Sequence, residues 1–253
     1  MYVDIHCHLL PGVDDGAADW AESSAMLAQA REEKVSALCV TPHMWLDRYP
    51  NRPEALREAF RAWSEKASGR GIELHLGGEV HFRPDLAEAW SSGELLPLGE
   101  RAANVLVELP LLLCPPGAEE VLYRLRLAGA EPVLAHPERY PYAQRDPGRL
   151  SGMAEAGIPF QLTCASVAGH FGSAIQKASF AFMERGWAHV MASDAHSPTG
   201  RRPVFREAVE IVVRRYGREA ARRLCVVNPR RLLNGEPVLP VRCAARKRGL
   251  WRP

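Results

Sequence analysis

The chain has 253 residues, 47% hydrophobic and 25% charged, with a formal net charge of +2; these are ordinary globular values, and the length suits one large core. The near-neutral balance gives no global reason to expect nucleic acid or membrane as a partner, and no apolar run approaches the ~20 residues of a membrane span. Without a cationic-then-apolar leader at its start, and with six scattered cysteines lacking a Cys-x-x-Cys pair, the sequence reads as a cytoplasmic protein with reduced thiols.

Residues 2–7 read as a strand, with Val3, Ile5 and Cys7 on one face and Asp4, His6 and His8 on the other. Pro11-Gly12 and Asp14-Asp15-Gly16 are turn residues that bring carboxylates over the strand's end. A helix is expected over 19–34, then a strand over 36–41 closing on Pro42-His43. Pro53 opens a second helix to about residue 68, and a strand over 72–76 ends in Gly77-Gly78-Glu79. A short helix over 85–90 precedes a strand over 104–107 that closes on Glu108. The alternation continues with a helix over 117–128, a strand over 132–135 closing on His136-Pro137-Glu138-Arg139, and a helix over 147–156. Strand 158–163, helix 175–185, strand 188–193 closing on Asp194-Ala195-His196, helix 203–216 and a short helix from Asn228 complete the chain.

Seven strands, nearly all followed by helices, predict a parallel sheet closed as a barrel, with a doubly wound open sheet as the alternative. No linker divides the chain, so one domain is expected over 1–240, followed by a basic tail over 241–253. His6 and His8, His43, Glu79, Glu108, His136, and Asp194 with His196 fall at the C-terminal ends of six strands. In a β/α barrel those ends surround one mouth, where catalytic groups gather.

Imidazole nitrogen mixed with carboxylate oxygen suits zinc, manganese or iron(II), and this set exceeds the roughly four to six ligands one ion takes. Two carboxylates 4 Å apart repel by about 4 kcal/mol at an effective dielectric near 20, so a crowd of them calls for cations. Two or three divalent ions are expected, with Asp14 or Asp15 also contributing. Paired metals activate water and clamp the oxygens of a phosphoryl group. Arg139, and Arg201 or Arg202, are placed to hold phosphate through arginine's planar fork.

Asp-Ile-His-Cys-His-Leu-Leu-Pro-Gly-Val-Asp-Asp-Gly, Thr-Pro-His, Gly-Glu-Val, Glu-Leu-Pro, Ala-His-Pro-Glu-Arg and Ala-Ser-Asp-Ala-His occur in that order. Together they resemble the polymerase-and-histidinol-phosphatase (PHP) superfamily. Within it, they are similar to the bacterial manganese-dependent protein-tyrosine phosphatases of capsule and exopolysaccharide operons, the CpsB/YwqE type. The resemblance implies a distorted (β/α)7 TIM-like barrel with a trinuclear centre, manganese first and iron, zinc, cobalt or magnesium as alternatives. It implies His6, His8, Asp15, His43, Glu79, Glu108, His136, Asp194 and His196 as metal ligands or their immediate partners. Arg139 and Arg201 correspond to the phosphate-binding arginines. In the mechanism expected from these parts, His43 or His196 assists the leaving group. The implied partner is a phosphotyrosine protein, the tail of a bacterial tyrosine autokinase; self-association is left open.

Two other readings compete. A small-molecule phosphoesterase acting on histidinol phosphate or a nucleotide would share the site and differ in the loops 45–52 and 111–117. A metal-stabilised binding module would keep the pocket without turnover. Aromatic Trp45, Tyr49, Tyr140 and Tyr142 near the mouth favour a phenyl ring as guest. His81, two residues after Glu79, reads as pocket rim, and Cys225 with Arg231 matches a cysteine-phosphatase spacing but lacks the glycines of a phosphate cradle.

Overall fold

The seven strand-like runs become nine strands in the computed structural model, which describes residues 1–100 and 102–244. They are β1 (Tyr2–Cys7), β2 (Val35–Val40), β3 (His43–Met44), β4 (Glu73–Leu76), β5 (Glu79–His81), β6 (Asn104–Glu108), β7 (Glu131–Ala135), β8 (Phe160–Thr163) and β9 (Ala188–Ala192). Every pairing is parallel, in two sheets ordered β1-β2-β4 and β3-β5-β6-β7-β8-β9.

The hydrogen-bonded ladder is therefore divided into two parallel sheets. Between β2 and β3 stands Pro42, which has no N–H to give to a neighbour. Between β4 and β5 stand Gly77 and Gly78, and a Cβ on Gly78 would collide with the Met44 sulfur. Hydrogen bonds from Gly77 N to Val40 O (2.8 Å) and from Glu79 N to Pro42 O (3.1 Å) keep the interrupted strands in line. At the other seam, one parallel bridge joins Cys7 to Ala195, flanked by Asp194 N to His6 O and His8 N to Ala195 O, both 2.8 Å. The two short strands carry His43 and Glu79, so the breaks sit directly beneath two site residues.

Helices cover the strands. Asp19 starts Trp20–Glu32 by accepting from Glu22 N at 3.0 Å, and Pro53 occupies the first turn of Pro53–Ala67. Two expected boundaries move for identifiable reasons. The 147–156 helix divides into a tight turn, Pro147–Leu150, and Ser151–Glu155, because Asp146 caps Gly148 N and two glycines weaken the run. The helix expected from residue 203 begins at Arg206, where the distant Glu33 carboxylate accepts from Phe205 N and Arg206 N at 2.9 and 2.7 Å.

The core has two parts. Val3, Ile5, Ala37, Cys39, Leu106, Val133 and Val190 pack inside the curved sheets, with Leu232 and Leu233 of the helix Asn228–Leu233 closing that cluster. A larger outer layer lies between strands and helices. Cys7 belongs to the outer layer rather than to the face of Val3 and Ile5, because the β1 register shifts between Asp4 and Cys7. Val241 and Cys243 are buried, Arg242 and Ala244 are exposed, and residues 245–253 of the expected basic tail lie outside the described residues. Among the described residues, no helix is long and apolar enough to cross a membrane.

One buried relay pins the first loop to two helices. Ser23 Oγ donates to Leu9 O at 2.6 Å and accepts from Trp63 Nε1 at 2.7 Å, with Ser23 and Leu9 fully buried. Ser23→Ala strands an N–H and a carbonyl. It should lower stability by about 1–3 kcal/mol, read as a shifted urea midpoint at unchanged slope.

Candidate metal centre

The mouth is built from strand ends. β1 delivers His6 and His8, and the turn after it must fold back tightly: a Cβ on Gly16 would fall within 2.5 Å of the His8 carbonyl oxygen and Cβ. That fold sets Asp14 against His8, with Nδ1 donating to Oδ2 at 2.7 Å, while the same oxygen accepts from His43 N at 2.9 Å. Asp15 instead reaches His43 Nε2 at 3.3 Å and His196 Nε2 at 3.4 Å.

Glu79 lies at the middle, fully buried. Its Oε1 is 2.9 Å from His136 Nε2; its Oε2 is 3.0 Å from His43 Nδ1 and 3.3 Å from both His6 Nε2 and His8 Nε2. Glu108 stands 3.6 Å from His136 Nε2 and 3.3 Å from His81 Nδ1. Asp194 sets one oxygen 3.3 Å from His6 Nε2 and offers the other to Arg139 Nη1 and Arg201 Nη2. Arg202 lines a separate cavity with Gln29 and Glu33, so Arg201 is the arginine at the mouth.

Two of these residues hold strained backbones. His136 and Asp194 have φ of +32° and +51°, a region costly for non-glycine residues. The Asp194 turn is locked from below by Asp4, which accepts from Ser193 N at 3.0 Å and Ser193 Oγ at 2.6 Å. Sequence reasoning placed Asp4 on the site's strand face but gave it no partner; Ser193 is far away in the chain.

The donor atoms converge as cation ligands do. Four overlapping groups have ligand atoms within 4.8 Å of one another: His8, Asp15, His43 and His196; His6, His8 and Asp194; His6, Glu79 and His136; His43, Glu79 and Glu108. Glu79 Oε2, Asp194 Oδ1, His43 Nδ1 and His196 Nε2 are buried yet make no hydrogen bond, so they face a common centre without aligning on one another. Because the Asp14 carboxylate only accepts, His8 Nδ1 carries a proton, which leaves Nε2 as the ring atom that can turn a lone pair to a bound cation. Gln161 Oε1, 2.8 Å from His6 Nδ1, does the same for His6. The two Nε2 atoms then face each other at 3.2 Å, an arrangement that a shared cation makes favourable. The residues fit divalent metal.

The electrostatics agree. Burial pulls the His6 pKa down, but Glu79 and Asp194 outweigh it and carry it above its ordinary value. Burial likewise opposes His8, which Asp14 raises well above normal. Burial pushes Asp194 up, and Arg201, His6 and Arg139 overcome this to hold it well below the usual carboxylate range. Glu79 is held low against burial by His6 and His43. His196 goes the other way, lowered to about 4 by burial and by the neighbouring His8.

A cavity of about 200 Å³ opens onto this cluster, lined also by Trp45, Arg48, Tyr49, His81 and Leu111. Trp45 and Tyr49 thus reach the mouth as expected. Tyr140 does not: it is fully buried, and its hydroxyl donates to Ala135 O (2.7 Å) and accepts from Leu109 N (3.0 Å), tying the ends of β6 and β7 together. Tyr142 stacks on it at 5.3 Å and does not line the cavity. Burial pushes the Cys225 thiol up inside the helical turn Arg223–Val227, away from the mouth.

A family model described as capsular polysaccharide synthesis, CpsB/CapC, matches residues 2–234. The chain belongs to the CpsB/CapC family. Among its relatives, it is 34% identical over 219 residues to the tyrosine-protein phosphatase YwqE of Bacillus subtilis, covering 86% of each chain. It is 28% identical over 238 residues to the tyrosine-protein phosphatase CpsB of Streptococcus pneumoniae, covering 91% of this chain and 98% of the relative. A crystal structure from work on YwqE and CpsB, described as unique metal-dependent tyrosine phosphatases, superposes with a TM-score of 0.90 at 31% identity. It covers 97% of this chain and 100% of the solved one.

For this CpsB/CapC member, Asp14 is the most informative residue to change, since it orients His8 without belonging to any of the four ligand groups. Asp14→Asn should weaken divalent-metal affinity by about 10–100-fold, measured by calorimetric titration of chelator-treated protein.

Proposed function

We propose that this chain is a metal-dependent phosphoesterase that removes phosphate from phosphotyrosine in proteins, the tail of a bacterial tyrosine autokinase being its substrate in capsule or exopolysaccharide synthesis. The observation that carries the reading is the pairing of Arg139 and Arg201 on one oxygen of Asp194, at the edge of four overlapping ligand groups. The relatives' names and the family description supply the substrate class and the process.

In this reading two or three divalent ions, manganese first, are held by His6, His8, Asp15, His43, Glu79, Glu108, His136, Asp194 and His196. When bound, they lower the pKa of water toward neutrality and neutralise phosphoryl oxygens. The arginines turn their free N–H groups to the remaining phosphate oxygens, exchanging part of their contact with Asp194 for the substrate. A tyrosine leaving group asks little of the protein, because phenolate has a pKa of about 10; His43 or His196, at the rim beside Asp15, is assigned the assisting role. The distorted-barrel reading of the fold belongs here too, supported by the Cys7–Ala195 bridge that sets β1 beside β9.

The test is hydrolysis of a phosphotyrosine peptide beside histidinol phosphate and a nucleotide, with added manganese and then EDTA. Peptide preference that the chelator abolishes is the expected result. Turnover of the small molecules alone would hand the function to the small-molecule phosphoesterase, and no turnover by metal-loaded protein would favour a binding module. Arg139→Ala should retain metal while kcat falls by about 10²–10³-fold. His136→Ala should lose both metal and activity; retention of both would sink the ligand assignment.

A further inference from the structure

The rim of the mouth carries an apolar surface that the chemistry does not use. Leu111, Leu112 and Leu113 follow Glu108-Leu109-Pro110 and are 47%, 81% and 68% exposed. Among the described residues seven large apolar side chains are exposed; these are three of them, and Leu46, in the loop between Trp45 and Tyr49, is a fourth. Scattered exposed leucines need no explanation, but consecutive ones flanking a pocket do.

A chain of contacts joins the two loops. Trp45 stacks on His81 with centroids 3.9 Å apart and planes 9° from parallel. His81 in turn faces Glu108 at 3.3 Å, and Glu108 ends the strand from which the leucine loop departs. Trp45 and Leu111 line the catalytic cavity itself, whereas Leu112 and Leu113 do not. The apolar surface therefore begins inside the mouth and runs outward.

We infer that Leu111–Leu113, with Trp45 and Leu46, is the docking surface for the polypeptide that bears the phosphotyrosine, and that it selects apolar side chains beside the modified residue. This rests on the phosphoprotein reading above. Continuity with the site selects the occupant: about 200 Å³ accommodates one phosphorylated side chain but not its neighbours, so the flanking residues must cross the rim. A second copy of the chain fits less well, because four leucines offer little of the roughly 1,200 Å² or more that a stable interface buries.

The experiment uses full-length, metal-loaded protein and its Leu112→Ser/Leu113→Ser variant. The substrates are a phosphotyrosine peptide flanked by leucines, the same peptide flanked by serines, and p-nitrophenyl phosphate. The wild type should prefer the leucine peptide. The variant should raise that peptide's KM about tenfold with kcat unchanged, as loss of uniform binding does, and leave p-nitrophenyl phosphate turnover intact. Equal KM values for both peptides in the wild type, or no change in the variant, overturn the docking surface while leaving the phosphatase standing. Turnover of p-nitrophenyl phosphate with neither peptide cleaved removes the phosphoprotein reading and this surface together. A wild-type dimer that the variant dissociates, at unchanged KM, assigns the leucines to a second copy instead.

Discussion

Five carboxylates, those of Asp14, Asp15, Glu79, Glu108 and Asp194, are gathered at one mouth, and Glu79 and Asp194 are almost wholly out of water. Negative charge so confined has to be balanced locally. Six imidazoles, His81 beside Glu108 among them, and two guanidiniums stand within ion-pairing distance of it. Much of the remaining structure holds these groups where mutual repulsion would disperse them. Breaks at Pro42 and Gly77-Gly78 let short strands begin at His43 and Glu79. Gln161 and Asp14 turn two imidazoles inward, and Tyr140 ties together the strand ends that carry Glu108 and His136.

Two of the gathered residues occupy left-handed backbone positions, at a cost of about 1–3 kcal/mol each. At Asp194 the restraint is a buried acid beneath it. Asp4 takes two hydrogen bonds from Ser193, and burial still raises its pKa to about 6. That acid is less comfortable folded than unfolded, so its retention is explained by what it holds in place rather than by stability of its own.

Much of the site was legible because its residues sit at predictable places, the last position of a strand or the one or two after it. Strand periodicity located His6, His136 and Asp194 without any knowledge of their partners. What escaped were features set by distant chain. Gln161 was an ordinary strand residue until β8 carried it to His6. Glu33 moved a helix start by capping Phe205 and Arg206, which no local pattern foretells. Whether Tyr140 lined the mouth or packed beneath it was not legible, because proximity to a motif says nothing about which way a ring points. The division into two sheets escaped because alternation of strands and helices cannot register that a proline or paired glycines interrupt hydrogen bonding while leaving strand direction unchanged.

The rings of His8 and His196 lie with centroids 3.8 Å apart, although one belongs to the first strand's end and the other follows the last. Two of the four ligand groups, those that include Asp194 or His196, are thus completed only by segments made late in synthesis. A ribosome-bound chain that has not yet released β9 has its first histidines but not Asp194, His196 or Arg201, and an early-terminated product inherits the same deficit. A chain that stops before β9 therefore keeps two of the four ligand groups and Arg139, but lacks the acid on which the two arginines converge.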